Sequence, residues 1–417
     1  MSLSCFELGE QMLSVDAARD ALMTLVEKSV AVEQVALGSA YGRRLAIDIT
    51  APINVPQNTN AAMDGVALSW PKQPPFQTQW PVAGDAFAGQ AFEGEVPSGQ
   101  CVRITTGAPL PSGTDTVIMR EQLIEGADSV TIDAPERVSV GQHVRQAGED
   151  IAKGAVALTA GTRLDAASMG LVASLGYAEV DVYQRPKVAI FSTGNEVTPP
   201  GEPLPSAGIY DTNRFTLIGM LSEQGAEVVD LGILPDDPRA IEQALAEAAA
   251  QCDLVITSGG VSVGHADYTR AALEKLGRLA FWRVALRPGR PMACGQLSDS
   301  RTPFVGLPGN PVAVMVTFSQ FVVPLLQRLQ GQLPSPPLRL TAIVQTPLKS
   351  RLKRTDFLRG IYTCDDQGVL HVRSTGAQGS GILTSMVMAN CLIELGDDQA
   401  DAQPGEAVCI QPITSWQ

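Results

Sequence analysis

Three segments of the chain combine small residues with a carboxylate directly after a predicted strand. They are FSTGNE with Glu196, ILPDD with Asp236 and Asp237, and TSGGVSVGHAD with Asp267. A loop of glycine and serine lets backbone N–H groups approach phosphate oxygens, and the following helix N-terminus favours an anion. Acids beside a phosphate need a divalent cation between them, and Mg²⁺ is typically held by one or two carboxylates plus phosphate oxygens. The pattern predicts a phosphate and Mg²⁺ site.

Each of these features also has a structural explanation when it is taken alone. SGG after a strand is often a plain tight turn, and an acid after a strand is often only a helix cap, as Asp236 ahead of Pro238 would be. Capping explains the repetition of the combination at three strand ends less easily. The joint pattern therefore favours a binding site.

Arginines are concentrated in two segments of an acidic chain. The formal net charge is −14 and the pI is about 4.7, so an anionic ligand must meet a local cluster of positive charge. FWRVALRPGRP supplies Arg283, Arg287 and Arg290, and RLKRTDFLRG supplies Arg351, Lys353, Arg354 and Arg359. Arginine binds oxyanions through a planar fork of donors. The second segment is equally compatible with a solvated charged face.

The predicted elements place these residues in a multidomain α/β plus β protein. Ser14 is the expected cap of a helix over 14–29, and Asp165 of a helix within 164–175. Strands and helices then alternate over 185–330, which predicts a parallel sheet covered on both faces. The expected domains are an N-terminal helix packing with the α/β domain (1–33), a linker or central domain (34–52 and 153–184), a β-rich domain (53–152), the α/β domain (185–330) and a small C-terminal β-barrel domain (331–417).

Composition limits the classes of function. The negative charge argues against nucleic-acid and anionic-membrane binding, and no stretch is expected to span a membrane. No signal peptide is visible at the N-terminus. Seven cysteines without a CxxC pair are typical of reduced thiols, which predicts a cytoplasmic location. Three histidines without a metal-ligand spacing argue against zinc and haem and leave a carboxylate-bound metal open.

Motifs throughout the chain resemble those of the molybdopterin molybdenumtransferases of the MoeA and gephyrin E-domain family. The matching segments are AAMDGVA with Asp64, RITTGAPLP with Thr106, RQAGEDI with Asp150, FSTGNE, IYDTN, SGGVSVGHADYT, RPGRP, GLPGNPV with Pro308, and AQGSG with Ser380. Arg287 and Arg290 occupy positions where the family usually has lysine.

The resemblance implies a specific reaction. Adenylylated molybdopterin and molybdate would enter, Mg²⁺ would assist cleavage of the phosphoanhydride, and AMP would leave with the molybdenum cofactor. It also implies an elongated four-domain subunit and a homodimer with sites built between the α/β domain of one subunit and other domains of its partner. A transient contact with the molybdopterin adenylyltransferase is expected as well.

The resemblance also assigns residues to roles. The catalytic residues would be Asp64, Thr106, Asp150, Glu196, Asp236 and Asp267, with the last three around Mg²⁺. The substrate-binding residues would be Ser258, Gly259, Gly260, Ser262, Gly264, Arg287, Arg290, Pro308, Arg354 and Ser380. Within this set, the SGGVSVG loop would hold the pterin phosphates, and the RPGRP turn with Ser380 would receive molybdate.

Two other classes of function remain open at this point. A related α/β domain occurs in nucleotide pyrophosphatases of the competence-damage type, although the AMDG, GED and QGS segments lie outside that shared domain. The gephyrin branch also clusters membrane receptors, so a scaffold with weak activity is the other alternative.

Overall fold

The computed structural model describes residues 12–235, 237–259, 275–297, 301–334 and 336–413. The chain divides into two compact units. The first consists of Met1–Glu33, Gly42–Ala46 and Asp181–Gln417, and the second of Gln34–Tyr41 and Ile47–Val180. The chain passes between the units at four points, two of which lie in the strands Val32–Ala36 and Glu179–Tyr183.

A seven-stranded sheet forms the centre of the first unit. Its spatial order is Met12–Leu13, Gly277–Val284, Pro291–Leu297, Thr302–Leu307, Leu254–Ser258, Lys187–Thr193 and Glu227–Leu234. The last four strands run parallel, as the alternation of strands and helices predicts. The strands Gly277–Val284 and Pro291–Leu297 instead pair antiparallel with each other, and Pro291–Leu297 pairs antiparallel with Thr302–Leu307. The sheet is therefore mixed. Antiparallel neighbours need only a short connection, and the segments that join these strands are short.

Helices cover both faces of this sheet, and the central strands are buried on both sides. The helices Val15–Met23 and Asn213–Glu223 and the helical stretch Pro311–Leu329 contribute to one core cluster, while Pro238–Gln251 contributes to the other. The side chain of Ser14 accepts the N–H of Ala17, as expected for the cap of the first helix. That helix ends at Met23, before the predicted end at residue 29.

A cap also explains one of the acids after the strands. Asp237 accepts the N–H of Arg239 at 3.1 Å, and Pro238 occupies the first position of the helix Pro238–Gln251. This acid has the structural role that sequence alone leaves open for its neighbour Asp236, which lies outside the described residues.

The helical stretch Pro311–Leu329 contradicts the expectation that no segment has the character of a membrane span. It comprises the α-helices Pro311–Thr317 and Val323–Leu329 and the π-helical turn Phe318–Val322 between them. Its 19 residues have the length and hydropathy of a span, but 72% of the apolar window is buried inside the protein. A helix that is apolar on all sides is buried either in a membrane or in the core of a protein. The burial observed here is that of a core helix.

The C-terminal segment forms a closed five-stranded barrel. Its strands are Leu340–Val344, Thr355–Cys364, Leu370–Ser374, Cys391–Leu395 and Ala407–Pro412, and a short helix, Thr384–Met388, precedes the fourth strand. The ring closes because Thr355–Cys364 pairs with both Leu370–Ser374 and Cys391–Leu395. Phe357, Met386 and Leu392 belong to the same core cluster as the helices of the sheet. The barrel and the sheet thus share a hydrophobic core.

The second unit is built mainly of short strands. A six-stranded sheet has the order Thr116–Met119, Gly65–Leu68, Cys101–Ile104, Gln79–Ala86, Ser129–Ile132 and Leu123–Glu125. Further short strands are Ile49–Thr50, Asn60–Ala61, Val144–Arg145 and Val156–Leu158, and the α-helix is Ala166–Ser174. Asp165 caps this helix by accepting the N–H of Ser168 at 2.8 Å, as the sequence predicts.

Candidate active site

The strand Leu254–Ser258 delivers a serine and a glycine to the carboxyl edge of the sheet. The side chain of Ser258 is buried, and its hydroxyl oxygen has no hydrogen-bond partner in the described structure. Gly259 has φ +84 and donates its N–H to the carbonyl of Leu307 at 3.1 Å. Gly260, Ser262 and Gly264, which continue the predicted phosphate loop, lie outside the described residues. A buried hydroxyl without a partner is costly, which points to a polar ligand at this edge.

One of the three predicted metal ligands can be located. Glu196 follows the strand Lys187–Thr193 and is exposed. Its carboxylate lies against Gly194, where an added Cβ would come within 2.7 Å of Oε2. The side chain makes no hydrogen bond or ion pair that the described residues supply, so its oxygens are available to a cation. Asp236 and Asp267 lie outside the described residues.

The IYDTN motif fixes a neighbouring loop at the same edge. Asp211 is buried and accepts hydrogen bonds from the Ser192 hydroxyl at 3.0 Å and from Arg214 Nε at 2.8 Å. Asn213 Nδ2 donates to the carbonyl of Gly309 at 2.7 Å. The bond from Asn213 attaches the GLPGNP loop to the start of the helix Asn213–Glu223. The motif thereby positions a loop that borders the cavity described next.

A cavity of about 960 Å³ lies where the sheet meets the barrel within the first unit. Four arginines line it: Arg287, Arg290, Arg351 and Arg354. Gly259, Pro308 and Ser380 also contribute to its walls. No acidic side chain is among the described residues that line it. We call this space the arginine cavity. Its concentration of positive charge contrasts with the net negative charge of the chain and suits an oxyanion.

The RPGRP turn reaches the cavity because two contacts fix its backbone. Leu286–Arg287 is a short strand that pairs in parallel with Thr355 and Asp356 of the barrel. Gly289 has φ +112, and a Cβ added there would lie 2.5 Å from Thr317 Cγ2. Only glycine combines this backbone conformation with such a close approach to the helix. The turn is therefore held between the barrel and the sheet.

Behind the cavity wall, a carboxylate contacts two of the arginines. Asp356 is fully buried, and its Oδ2 accepts a hydrogen bond from Arg354 Nη2 at 3.1 Å. The same oxygen lies 3.8 Å from Arg287 Nη1. Arg354 Nε lies 2.8 Å from Asp356 Oδ1, an ion-pair distance without the alignment of a hydrogen bond. The paired acid offsets part of the repulsion between the arginines.

A fifth arginine, Arg359, is almost completely buried beside the cavity, with 1% of its surface exposed. Its Nε donates to Ser385 Oγ and its Nη2 to the carbonyl of Gly379, both at 3.0 Å. Neither partner is acidic, and no described residue forms an ion pair with it. Burial, with a further contribution from the positive charge of Arg287, lowers the pKa of Arg359 to about 10. The site therefore holds a charge that has no counter-ion among the described residues.

The burial of Arg359 corrects one interpretation of the sequence. The segment RLKRTDFLRG is not simply a solvated charged face, because Arg351 and Arg354 line the cavity and Arg359 is buried. Sequence reasoning also missed Asp356. Both Asp356 and Arg359 lie in the strand Thr355–Cys364 among buried apolar residues, and charges within such a run are the signal that could have identified them.

The loop that carries Ser380 is held on both sides. Gln378 accepts the backbone N–H of Arg359 at 2.9 Å through its Oε1 and donates to the carbonyl of the same residue at 3.1 Å. The backbone N–H of Val312, at the start of the long helix, donates to the carbonyl of Ser380 at 3.1 Å. These bonds set the position of Ser380 at the cavity wall.

In the second unit, Asp64 and Thr106 are in direct contact. The backbone N–H and the hydroxyl of Thr106 both donate to Asp64 Oδ1, at 2.7 and 2.8 Å. These two bonds hold the pKa of Asp64 below its ordinary value. The next position must be glycine, because a Cβ at Gly65 would lie 1.8 Å from the carbonyl oxygen of Ile118. The MDG sequence thus places an ionised, exposed carboxylate at the start of a strand.

Asp150 is exposed in the same unit, and its N–H donates to the carbonyl of Val55 at 3.0 Å. Its side chain has no partner that the described part of the chain provides. Predicted site residues thus form two separate groups, one in each unit. Gly259, Arg287, Arg290, Pro308, Arg354 and Ser380 border one cavity, and Asp64 contacts Thr106.

Family models match nearly the whole chain in succession. A model described as the MoeA N-terminal region (domain I and II) matches residues 13–176. A model of a probable molybdopterin binding domain matches residues 189–328, and one of the MoeA C-terminal region (domain IV) matches residues 341–413.

Individual relatives agree with these models. The molybdopterin molybdenumtransferase of Haemophilus influenzae is 45% identical over 403 residues, which cover 96% of this chain and 99% of that protein. Gephyrin of Dictyostelium discoideum is 31% identical, with 92% of this chain and 60% of that protein covered. The crystal structure of the molybdopterin biosynthesis moeA protein from Pyrococcus horikoshii OT3 gives a TM-score of 0.82 at 28% identity, covering 96% of this chain and all of that one.

Proposed function

The chain belongs to the molybdopterin molybdenumtransferase family, and from this premise we propose that it transfers molybdenum from molybdate to adenylylated molybdopterin, with Mg²⁺. AMP and the molybdenum cofactor are the proposed products. The family assignment makes the protein a transferase enzyme of molybdenum cofactor biosynthesis. The identity of the activated pterin, the metal requirement and the release of AMP are the parts that we propose.

The arginine cavity is the observation that carries the proposal. Molybdate is a compact dianion, and a chain with a net charge of −14 can hold it only where positive charge is concentrated. Four arginines of the described residues line this cavity, and beside it lies the charge of Arg359, for which those residues supply no counter-ion. In our proposal Arg287, Arg290 and Ser380 contact the oxyanion directly. Arg359 strengthens the positive potential from behind the Gly379 carbonyl.

The pterin phosphates are proposed to bind at the adjacent sheet edge. Ser258 offers a buried hydroxyl without a protein partner among the described residues, and Gly259 leaves room for close approach of a ligand. Gly259 also borders the arginine cavity, so a ligand at this edge would lie next to the oxyanion. This adjacency suits a reaction in which the pterin must meet molybdate.

The residues at the edge are compatible with Mg²⁺. The carboxylate of Glu196 lies at the sheet edge without a partner among the described residues, and hard oxygen ligands are what Mg²⁺ prefers. Glu196, Asp236 and Asp267 would hold the ion. When bound, it would neutralise phosphate charge during cleavage of the phosphoanhydride. The protein's own contribution is positioning, which phosphoryl transfer requires more than a covalent nucleophile.

The second unit supplies the remaining proposed catalytic residues. Thr106 keeps Asp64 ionised and oriented through two hydrogen bonds, and Asp150 presents a further exposed carboxylate. We propose that the enzyme acts as a homodimer in which these residues serve the partner's site. We also propose that the protein acts in the reducing cytoplasm and contacts the molybdopterin adenylyltransferase transiently.

The alternatives are not favoured. The matched family regions include the N-terminal and C-terminal parts of the chain, outside the α/β domain shared with pyrophosphatases of the competence-damage type. The arginine cavity also needs the C-terminal barrel, which supplies Arg351, Arg354 and Ser380. A nucleotide pyrophosphatase would have no use for this oxyanion site. A scaffold would have no need of it either.

The proposal is tested by the variant Asp267→Asn. We expect AMP release from adenylylated molybdopterin to fall to less than about a tenth of the wild-type rate, because one carboxylate of the metal site is lost. Circular dichroism and size-exclusion chromatography should show a native protein. Asp366→Asn, which neutralises an exposed acid of the barrel, is the matched control and should keep the full rate. A rate above a tenth for the Asp267 variant would mean that this residue is a helix cap only.

A further inference from the structure

Asp356 is a buried acid within a group of arginines that is expected to bind an anion. It is fully buried behind the wall of the arginine cavity and is not among the residues that line the cavity. A negative charge this close to an anion site should weaken anion binding by simple Coulomb repulsion. Its burial therefore requires an explanation other than contact with the ligand.

The contacts of Asp356 are with residues that line the cavity. Its Oδ2 accepts from Arg354 Nη2 at 3.1 Å and lies 3.8 Å from Arg287 Nη1. The backbone reinforces this arrangement, because Arg287 and Asp356 are register partners in the parallel pairing of their strands. One carboxylate is thus shared by an arginine of the RPGRP turn and an arginine of the barrel segment.

Without this acid the two arginines would have little reason to remain at the wall. Guanidinium groups around the cavity repel one another, and besides burial the positive charge of Arg287 contributes to the lowered pKa of Arg359. The side chain of Arg287 is 47% exposed, so it can turn to solvent, where it regains hydration and rotamer freedom. A fixed negative charge between the two arginines opposes that movement.

The pairing of Asp356 with Arg354 also leaves donors for a ligand. Arg354 Nε lies 2.8 Å from Asp356 Oδ1 without hydrogen-bond alignment. Only Nη2 forms a well-aligned bond to the acid, and the described residues supply no other acceptor for this guanidinium. Asp356 therefore orients Arg354 without consuming its full set of donors.

We propose that Asp356 is a positioning residue that holds Arg287 and Arg354 at the cavity wall for an incoming oxyanion. This inference rests on the proposed function, since it presumes that the cavity binds molybdate. It predicts the direction in which anion affinity changes when the charge of Asp356 is removed. Simple electrostatics says that removing a negative charge near the site strengthens anion binding, whereas positioning says that it weakens binding.

The test is the variant Asp356→Asn, which preserves shape and removes the charge. We expect the Kd for molybdate, measured by isothermal titration calorimetry, to rise about tenfold, the loss expected when a charge-assisted contact is no longer held in place. The KM for molybdate in AMP-coupled cofactor formation should rise similarly, with kcat within twofold of the wild type. Asp366→Asn removes the same charge from an exposed position of the barrel and should leave both constants unchanged.

A double-mutant cycle separates positioning from general damage. In an Arg354→Gln background, Asp356→Asn should have less than half of its effect on the molybdate Kd, because one of the positioned side chains is already absent. Asp356→Ser also removes the charge and replaces the asparagine variant if that variant loses its native circular dichroism spectrum. A molybdate Kd at or below the wild-type value in a folded variant overturns the proposal. Unfolding of both variants also overturns it, since Asp356 would then serve stability.

The outcomes distinguish this inference from the proposed function. If the wild-type protein binds neither molybdate nor tungstate, the oxyanion site itself is wrong. If the wild type binds molybdate and Asp356→Asn binds it equally well or more tightly, only the positioning role fails.

Discussion

Arg359→Met separates the cost of a buried charge from its use in binding. The guanidinium is 1% exposed, and its partners are the neutral groups Ser385 Oγ and the Gly379 carbonyl. Lowering the pKa of Arg359 from the usual guanidinium range to about 10 corresponds to a cost of about 3 kcal/mol. At neutral pH the group is charged in both the folded and the unfolded chain, so this cost to folding is fully present.

Methionine removes that cost and also removes the two hydrogen bonds, whose loss costs about 1–3 kcal/mol. We therefore expect the free energy of unfolding to change by less than about 2 kcal/mol in either direction. Anion binding should respond much more, because the bound oxyanion would supply the counter-ion that the described residues do not give Arg359. Loss of this positive charge from behind the cavity wall, worth about 1.5–3 kcal/mol at short range in a poorly screened interior, predicts a molybdate Kd that is raised by roughly 10- to 100-fold.

Urea unfolding and isothermal titration calorimetry with molybdate measure the two quantities on the same preparation. Arg373→Met is the matched control, because Arg373 is an exposed arginine on the adjacent strand of the barrel. The control should bind molybdate with a Kd within twofold of the wild type. If Arg359→Met is folded and also binds molybdate within twofold of the wild type, the buried charge has no role in anion binding and the reasoning fails.

Three further predictions concern the rest of the site. Arg287→Ala and Arg290→Ala should each raise the molybdate concentration for half-maximal cofactor formation by about tenfold. AMP release measured without molybdate should change much less. An unchanged molybdate concentration in both variants would mean that the two arginines are surface charges without a role in anion binding. Thr106→Val should raise the pKa of Asp64 toward its ordinary value, because one of two donors to the carboxylate is lost; a carboxyl-carbon NMR titration that shows no rise would contradict this. Subunit exchange between the inactive variants Asp64→Asn and Asp267→Asn should restore some AMP release if sites are shared across a dimer, and exchange proven by mass spectrometry without recovery would exclude shared sites.

Local signals in the sequence predict much of the fold. Ser14 and Asp165 are correctly identified as helix caps, because a capping side chain acts on N–H groups two or three residues away. The alternation over 185–330 likewise predicts the four parallel strands.

Features that depend on distant parts of the chain are harder to predict. The antiparallel strands Gly277–Val284 and Pro291–Leu297 depend on which neighbour is available in the sheet, and their sequences do not show this. The burial of Arg359 depends on the later segment that carries Gly379 and Ser385, and the local sign of it is only a charge within an apolar run. The apolar stretch Pro311–Leu329 is a core helix because the sheet and the barrel enclose it.

The candidate site shows the same division. Spacing alone brings Arg287 and Arg290 together, because they flank Pro288 and Gly289 in one turn. Their convergence with Arg351 and Arg354 requires the pairing of Leu286–Arg287 with the barrel strand. Such pairing between segments about 70 residues apart is a property of the folded chain.

Molybdate-dependent turnover of adenylylated molybdopterin by the purified wild-type protein tests the central claim most directly. AMP should be released in the presence of Mg²⁺ and molybdate, in step with formation of the molybdenum cofactor and with one AMP per cofactor formed. Omission of molybdate should abolish cofactor formation, and chelation of Mg²⁺ should abolish AMP release. Release of AMP without any cofactor, at full rate and at every molybdate concentration, would contradict the claim and identify a pyrophosphatase instead.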